Sequence, residues 1–361
     1  MKICFFIGDI SKKAGTERVT TIIASEMAAI GHEVYIMSLV NSPKAGYDIN
    51  EDVKIIALKN GSGNNKKNFI PLINEIRKTV KKYKFDVLVE ADVILRIFTV
   101  PACLGLSLSV ISWEHFNFNN NLGLKLRDIA RKLAAKHSKY IITLTETDRK
   151  SYLANLKCRA VVKAIENPLV FYPDEYTDCT KKVVLTVGRL NYQKGYNFLL
   201  DAWKIVSFKH PDWTLRIAGT GELEQQLKKQ SQELNINSTV NFLGQISNMA
   251  EEYKNASIYA MSSRFEGFPM VLLEAMSFGL PVVSFDCHTG PGDMITNGED
   301  GILVKNQDVE GLANGICKLI EDEALRKAMS LKARNNIKRF SKENILCKWN
   351  EVFQSIDTKN K

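Results

Sequence analysis

The chain has 361 residues, 45% hydrophobic and 25% charged, the balance of an ordinary globular protein and a length that favours two domains over one. Its seven cysteines, Cys4, Cys103, Cys158, Cys179, Cys287, Cys317 and Cys347, are scattered without a CxxC pair, so neither a disulfide framework nor a zinc site is indicated and a reducing, cytosolic setting is expected. The net charge of +9 is uneven: residues 1–166 hold 26 Lys+Arg against 16 Asp+Glu, and residues 167–361 hold 23 against 24.

In chain order, the pattern predicts a strand at Ile3–Gly8, a helix at Gly15–Ile30 and strands at Glu33–Leu39 and Val53–Leu58. The apolar run at the start is too short for the core of a secretory signal. Between the first strand and its helix lies Gly8-Asp9-Ile10-Ser11-Lys12-Lys13-Ala14-Gly15-Thr16-Glu17. The loop lacks GxGxxG, so a nicotinamide site is unsupported. Thr16 and Glu17 either cap the helix or touch a ligand. Asn60–Asn65 reads as a flexible loop. A helix at Ile70–Tyr83 and a strand at Val87–Glu90 follow.

The uncharged stretch Ile97–Ser112 contains Pro101 and Gly105 and falls short of a membrane span, reading instead as a helix end followed by a buried strand at Val110–Trp113. Beyond that strand comes Trp113-Glu114-His115-Phe116-Asn117. A lone histidine is usually structural, but at a strand end in a polar-aromatic loop His115 is a functional candidate. Helices at Leu122–His137 and Glu146–Leu153 and strands at Tyr140–Thr143 and Val161–Ile165 complete the half.

The basic excess clusters at Lys66/Lys67, Arg77-Lys78, Lys81/Lys82/Lys84 and Lys125/Arg127/Arg131/Lys132/Lys136/Lys139. Helical spacing puts Arg127, Arg131 and, less closely, Lys139 on one outer face, with Ile129, Ala130 and Leu133 turned inward. Such a face is either a solvated surface or a patch for anionic lipid or a polyanionic acceptor. No nucleic-acid motif accompanies it.

Asn167-Pro168 and Tyr172–Asp178 break the periodicity and read as a linker. The alternation then restarts, with strands at Lys182–Val187, Thr214–Ala218, Val240–Leu243, Ser257–Met261 and Val282–Phe285. Helices are predicted at Gly195–Lys209, Glu222–Leu234, Ala250–Lys254, Met270–Phe278, Val309–Ile320, Glu323–Ile337 and Lys342–Phe353. Strand and helix in alternation define an α/β chain of two doubly wound, Rossmann-like domains, residues 1–168 and 169–340, with 341–361 a terminal helix that packs back on the first. A ligand cleft between the two domains is the expectation, beyond the carboxyl ends of the strands.

Residues at those ends carry the chemistry. Gly188-Arg189-Leu190-Asn191-Tyr192-Gln193-Lys194-Gly195 flanks a helix start with two cations, a suitable diphosphate clamp; the alternative is pairing with surface acids. Gly219-Thr220-Gly221-Glu222, Gly244-Gln245-Ile246-Ser247 and Cys287-His288-Thr289-Gly290-Pro291-Gly292-Asp293 are further strand-end turns. They either meet a ligand or only shape the chain.

The most informative stretch is Ser263-Arg264-Phe265-Glu266-Gly267-Phe268-Pro269-Met270-Val271-Leu272-Leu273-Glu274-Ala275-Met276. Gly267 is expected to take an unusual turn and Pro269 the first helical position, so that backbone N–H groups and a positive helix end meet an anion. Glu266 lies at the mouth. Glu274, placed about two turns into a buried helix, must be paired or liganded.

Together these residues resemble the retaining glycosyltransferases of family 4, which have the GT-B architecture. The resemblance covers nearly the whole chain. Its strongest parts are Gly188-Arg189-Leu190 through Lys194-Gly195, Ala218-Gly219-Thr220-Gly221, and Ser262 to Met276, whose Glu266 and Glu274 match the family's Glu-x7-Glu motif. The resemblance implies that Glu266 lies near the donor sugar and Glu274 binds the nucleotide ribose. It implies that Arg189, Lys194 and the backbone at Phe268, Pro269 and Met270 hold the diphosphate, with Gly15 and Thr16 close by. It places His115 toward the donor sugar and acceptor, and Gly244 and Ile246 against the base. Where the family has Gly-Gly-x-Glu, this chain has Ala14-Gly15-Thr16-Glu17, one methyl more.

The chain contains no DxD pair, so no metal or other cofactor is expected, the protein cations standing in for Mg²⁺ at the leaving group. The implied reaction moves a hexose or N-acetylhexosamine from a UDP-sugar to a polyprenyl-diphosphate-linked oligosaccharide. It is expected at the inner face of the plasma membrane, with peripheral contact to anionic lipid through the basic half and no nucleic-acid partner. A sugar-nucleotide epimerase, which needs no acceptor, and a non-catalytic nucleotide-sugar-binding protein are the competing readings. A phosphorylase of the glycogen type lacks a supporting pyridoxal-lysine motif.

Overall fold

A computed structural model of the chain describes residues 1–61 and 68–357. From residue 62 onward, the loop expected over Asn60–Asn65 and the Lys66/Lys67 pair lie outside the described residues. In chain order the elements are β1 (Lys2–Ile7), α1 (Gly15–Ala29), β2 (Glu33–Ser38), β3 (Lys54–Ala57), α2 (Phe69–Tyr83), β4 (Val87–Glu90), α3 (Arg96–Cys103), β5 (Ser109–Trp113), α4 (Lys125–His137), β6 (Tyr140–Thr143), α5 (Glu146–Asn155) and β7 (Val161–Ala164). They continue with β8 (Val183–Val187), α6 (Tyr196–Lys209), β9 (Thr214–Ala218), α7 (Glu224–Glu233), β10 (Val240–Gly244), α8 (Met249–Lys254), β11 (Ile258–Met261), α9 (Met270–Ser277), β12 (Val282–Asp286), α10 (Pro291–Met294), β13 (Gly301–Lys305), α11 (Val309–Glu321), α12 (Glu323–Asn336) and α13 (Lys342–Asp357). The elements divide between two compact units: Met1–Pro168 joined by α13, and Leu169–Lys342.

Unit 1 is a seven-stranded parallel sheet in the order β3-β2-β1-β4-β5-β6-β7. Its central strands read as continuous apolar runs because helices cover both faces; Ile3, Cys4, Phe5 and Phe6 of β1 are all fully buried. Helix α13 belongs to this unit because its apolar stripe is buried here. The Trp349 indole meets Trp113 edge-on at 4.9 Å, and Lys348 and Lys163 pair with Glu166 and Glu351 at 2.5 and 2.6 Å.

Unit 2 is a six-stranded parallel sheet in the order β10-β9-β8-β11-β12-β13. Its core gathers Leu199, Trp203 and Val206 of α6 with Leu312 and Ile316 of α11 against β8, β9 and β12. Strand β13 and the short α10 were not expected. Gly-Ile-Leu-Val-Lys is brief and follows a turn, and pairing with β12 from Val282↔Gly301 to Asp286↔Lys305 makes it a strand. Among the described residues, no helix is long and apolar enough to cross a membrane.

Each sheet has one place where the strand order reverses direction. In unit 1 it lies between β1 and β4, in unit 2 between β8 and β11. Loops leaving the carboxyl ends of neighbouring strands diverge there, which opens a crevice for ligands.

Candidate functional site

In unit 2 the reversal point is built by the loops after β8 and β11. They touch at Gly195, whose φ of +63° favours glycine and where a Cβ would come 2.2 Å from the Ser262 carbonyl oxygen. The Ser262 hydroxyl donates to the Lys194 carbonyl at 3.0 Å, and the Arg264 N–H to the Gln193 carbonyl at 2.8 Å. The Arg264 guanidinium, 4.1 Å from the Tyr192 ring centre and 4.4 Å from that of Phe198, fixes the pair of loops.

This frame brings Lys194 and Glu266 together. The ammonium lies 2.8 Å from Glu266 Oε1, and the Gln193 amide donates to Oε2 at 3.2 Å. Glu266 is 5% exposed, so this pairing offsets the cost of removing its charge from water. A third loop closes on the same residue through its backbone: the Thr289 hydroxyl donates to the Glu266 main-chain carbonyl at 2.5 Å. Gly290, at φ +97°, lies so near that a Cβ would meet Pro269 Cδ at 2.8 Å. Helix α9 starts beside them, with Pro269 as its N-cap and no side-chain cap. Its N–H groups and positive end are thereby directed at the loops.

Three local expectations are corrected here. Pro269 is the N-cap rather than the first helical residue, its ψ of 102° being extended. Gly267 is not among the positive-φ residues; Gly195 and Gly290 take the left-handed turns instead. Glu274 is the fifth residue of α9, about one turn in, and half-buried, its carboxylate accepting from the Tyr253 hydroxyl at 3.0 Å.

Arg189 is not drawn into the buried pair. Its side chain is 74% exposed, with Nε 3.6 Å from Glu222. An exposed pair of this kind is worth at most about 1 kcal/mol, so the guanidinium is free to exchange Glu222 for an anionic ligand. At the end of β10, Gly244 has φ +66° and its carbonyl accepts from the Gly219 N–H at 2.8 Å. Ile246 beyond it is half-buried, as is Met270, while Phe268 is buried edge-on against Phe340.

Unit 1 has its own crevice at the reversal point, a cavity of about 1150 Å³. The loop after β1 gives Asp9, Lys12, Ala14, Thr16 and Glu17, and the segment after β4 gives Asp92 and Leu95. Phe69, Phe98, Phe116 and Leu126 make much of its wall apolar. Gly15 opens α1, whose N-cap Ala14 offers no side-chain bond. Burial raises the Glu17 carboxyl above its ordinary pKa, with Lys12 opposing and Asp9 and Asp92 adding to the shift.

His115 sits beside this wall, 8% exposed, its ring 4.4 Å from that of Trp113. Burial brings its pKa down to about 4, so the ring is neutral at physiological pH. Its Nε2 is buried and finds no hydrogen-bond partner among the described residues.

A buried ionic network that the sequence pattern did not reveal holds the loop carrying His115. Arg127 forks onto Asp92 at 2.7 and 2.9 Å. Arg131 donates to Glu114 at 2.8 Å and to the carbonyls of Phe118, Asn117 and Asn120. Tyr152 adds a further bond to Glu114. This corrects the expected orientation of α4: Arg127 and Arg131 are buried, Ile129 is 50% exposed, and Ala130 alone of the expected inward residues is fully buried. Asp92, Glu114, Gln193 and Thr289 are the contributors missed in sequence. Acids just after strands were the available signal.

Among the described residues one trio, His210, Cys317 and Glu321, brings three potential metal-ligand atoms within 4.8 Å of one another. It lies at the end of α6 and on α11, outside the strand-end loops.

Two family profiles match the chain. Glycosyltransferase Family 4 spans residues 14–169 and Glycosyl transferases group 1 spans residues 174–336. The sequence is 32% identical to an uncharacterized glycosyltransferase of Haemophilus influenzae over 97% of this chain and 99% of that one. It is 31% identical, over 97% and 99%, to the amylovoran biosynthesis glycosyltransferase AmsD of Erwinia amylovora. It is 27% identical, over 99% of each, to a Campylobacter jejuni alpha-1,4-N-acetyl-D-galactosaminyltransferase named for a diNAcBac-PP-undecaprenol-linked GalNAc saccharide. Among solved structures, S. aureus TarM superposes with a TM-score of 0.80 at 16% identity, over 98% of this chain and 99% of that one. Anabaena HepE, solved in complex with UDP, superposes with a TM-score of 0.81 at 19% identity, over 98% and 100%. At such identities the structural likeness concerns the fold.

Proposed function

The chain belongs to glycosyltransferase family 4 and has the GT-B fold, and from that premise we propose that it transfers a hexose or N-acetylhexosamine from UDP to a lipid-linked saccharide, with retention and without a divalent metal. The observation that carries this reading is the buried Lys194–Glu266 pair at the reversal point of unit 2. A carboxylate and an ammonium are held there beside an uncapped helix start, where a diphosphate and the sugar attached to it fit.

The chemical task is to break the bond between the anomeric carbon and the diphosphate. Negative charge grows on the leaving oxygens, and groups placed against it lower the barrier. In this reading Lys194, Arg189 released from Glu222, and the backbone at Phe268–Met270 receive that charge. Glu266 orients the sugar hydroxyls and stabilises positive charge at the anomeric carbon. Glu274 takes the ribose hydroxyls, and the backbone at Gly244 and Ile246 the base. His115, neutral, offers one N–H or one lone pair to the acceptor beside the unit 1 crevice.

The acceptor side is the unit 1 crevice, whose carboxylates accept from sugar hydroxyls and whose aromatic wall suits sugar faces. A lipid diphosphate acceptor, as named for the Campylobacter relative, fits surface-polysaccharide synthesis at a membrane. The basic excess of residues 1–166 supports peripheral contact with anionic lipid.

The test is a panel of UDP- and GDP-sugars scored by thermal stabilisation, followed by transfer to a synthetic polyprenyl diphosphate saccharide. The expected result is stabilisation by one UDP-sugar, an α-linked product from an α-linked donor, and turnover that survives EDTA. An inverted product, a chelator-sensitive rate, or conversion of the sugar nucleotide without acceptor would each sink the corresponding part of the reading.

A further inference from the structure

The reversed orientation of α4 leaves an apolar surface exposed among the described residues. Arg127 and Arg131, tied to Asp92, Glu114 and three backbone carbonyls, fix the rotation of the helix. Its outer side therefore carries Leu126 at 55% and Ile129 at 50% exposure. The turn before it adds Leu122 at 41% and Leu124 at 49%. Four large aliphatic side chains within eight residues of sequence thus face water, an arrangement that marks an interaction surface.

The turn is built to present them. Leu122 has φ +53° and Gly123 φ +76°. For a leucine that conformation is an outlier held by its surroundings. Here the Asn120 and Asn121 side chains hold it, accepting from the Leu122 and Gly123 N–H groups at 2.8 and 3.0 Å.

Charge complementarity identifies the occupant. At helical spacing Lys125, Lys132 and Lys136 lie on the same face as Ile129, with Leu126 at its edge, and all three are exposed. The neighbouring carboxylate of Asp128 is engaged by Arg131 at 3.5 Å and by Asn121 at 2.9 Å. An apolar tip followed by lysines matches a bilayer with anionic headgroups. The leucines enter the acyl boundary, and the lysine stems run along apolar surface with their ammonium groups at phosphate level. Leu126 also lines the unit 1 crevice, so the membrane-facing surface continues into the proposed acceptor site.

We propose that residues 122–136 form the surface by which the protein docks on an anionic bilayer, an inference that rests on the lipid-linked acceptor reading and gives its membrane contact a location. The experiment is co-sedimentation of the full chain with vesicles of phosphatidylcholine alone or mixed equally with phosphatidylglycerol. Binding is expected to the anionic vesicles only and to weaken with added salt. The triple variant Leu122→Ser/Leu124→Ser/Ile129→Ser and the double variant Lys132→Glu/Lys136→Glu should each lose roughly tenfold or more in apparent affinity. Both should keep wild-type stabilisation by UDP-sugar, which shows that they fold.

Wild-type protein remaining in the supernatant with anionic vesicles, or either variant binding as wild type does, would overturn the docking surface. So would loss of an oligomer on gel filtration of the leucine variant without loss of lipid binding, which would assign the patch to a second copy. Vesicle binding that follows this pattern while no transfer to a lipid diphosphate is seen would leave the docking surface standing and remove the acceptor reading.

Discussion

The ammonium of Lys194 and the carboxylate of Glu266 lie 2.8 Å apart across 72 positions of sequence, with side chains 17% and 5% exposed. Each charge has been taken out of water with the other as its counter-charge. Deleting one partner leaves a buried charge uncompensated at a cost of about 3–5 kcal/mol, whereas deleting both removes the problem along with the attraction.

Lys194→Ala and Glu266→Ala are therefore expected to lower the thermal midpoint individually. The double variant should be more stable than the sum of the two losses predicts. Transfer rates should fall about 100-fold for Lys194→Ala, the scale of losing one group that stabilises a developing anion. Additive stability effects would mean that the pair is not coupled. Rates within a few-fold of wild type in both single variants would remove these residues from the reaction.

Gly195 sets the contact between the two loops. With φ at +63° and only 2.2 Å from a built Cβ to the Ser262 carbonyl oxygen, Gly195→Ala combines backbone strain with a collision against backbone. A loss of about 2–4 kcal/mol is expected, from the strain and overpacking ranges together. Gly105 is the control, since it also has positive φ (+72°) but an added Cβ would meet no non-neighbouring atom of the described residues within 4 Å. Gly105→Ala should cost about 1–2 kcal/mol from strain alone. Equal losses at the two sites, by urea titration, would show that the Ser262 contact has no consequence.

The reversal-point residues were legible because their signal is local. Apolar runs mark the strands, and the polar residues just past Val187, Met261 and Trp113 fall where a parallel sheet opens its crevice. The orientation of α4 was not legible. Charged residues at helical spacing are ordinarily assigned to water, yet Arg127 and Arg131 turn inward because Asp92 and Glu114, from segments 35 and 17 positions earlier, are waiting there. Nothing within Lys125–His137 encodes that preference. Gly290 was likewise read as shaping a turn or meeting a ligand, and its close approach to Pro269 exists only once β11 and β12 lie side by side.

The arginine network makes its own prediction. Arg131 is 1% exposed and donates to Glu114 and three carbonyls. Arg131→Met keeps the stem's packing but takes the nearer of two guanidinium groups from buried Glu114, leaving Arg127 at 3.4 Å, and should destabilise by about 3 kcal/mol. Arg131→Met combined with Glu114→Gln should recover part of that loss, because the remaining amide needs no counter-charge. If the single variant melts like wild type, the network is not what holds the loop of His115.

That loop should also confer a specific pH dependence. Burial lowers the His115 pKa from 6.5 to about 4, with Asp92 opposing the shift and Arg127 reinforcing it. The unfolded chain therefore takes up a proton near pH 6.5 that the folded chain refuses until about pH 4. His115 contributes nothing to the pH dependence above about pH 7, and its share of stability is lost as pH falls from 6.5 to 4, amounting to about 2 kcal/mol by pH 5 and 3 kcal/mol by pH 4. Glu17 and Glu114, both raised by burial, act in the opposite sense, because folding favours their protonated forms as the pH drops. The readout is thus a difference: wild type minus His115→Gln, by chemical denaturation at pH 7.5 and pH 5. The wild type should lose about 2 kcal/mol more than the variant over that interval. Parallel pH profiles would mean that His115 titrates normally in the folded protein, and its neutral imidazole could then no longer be assumed at the acceptor side.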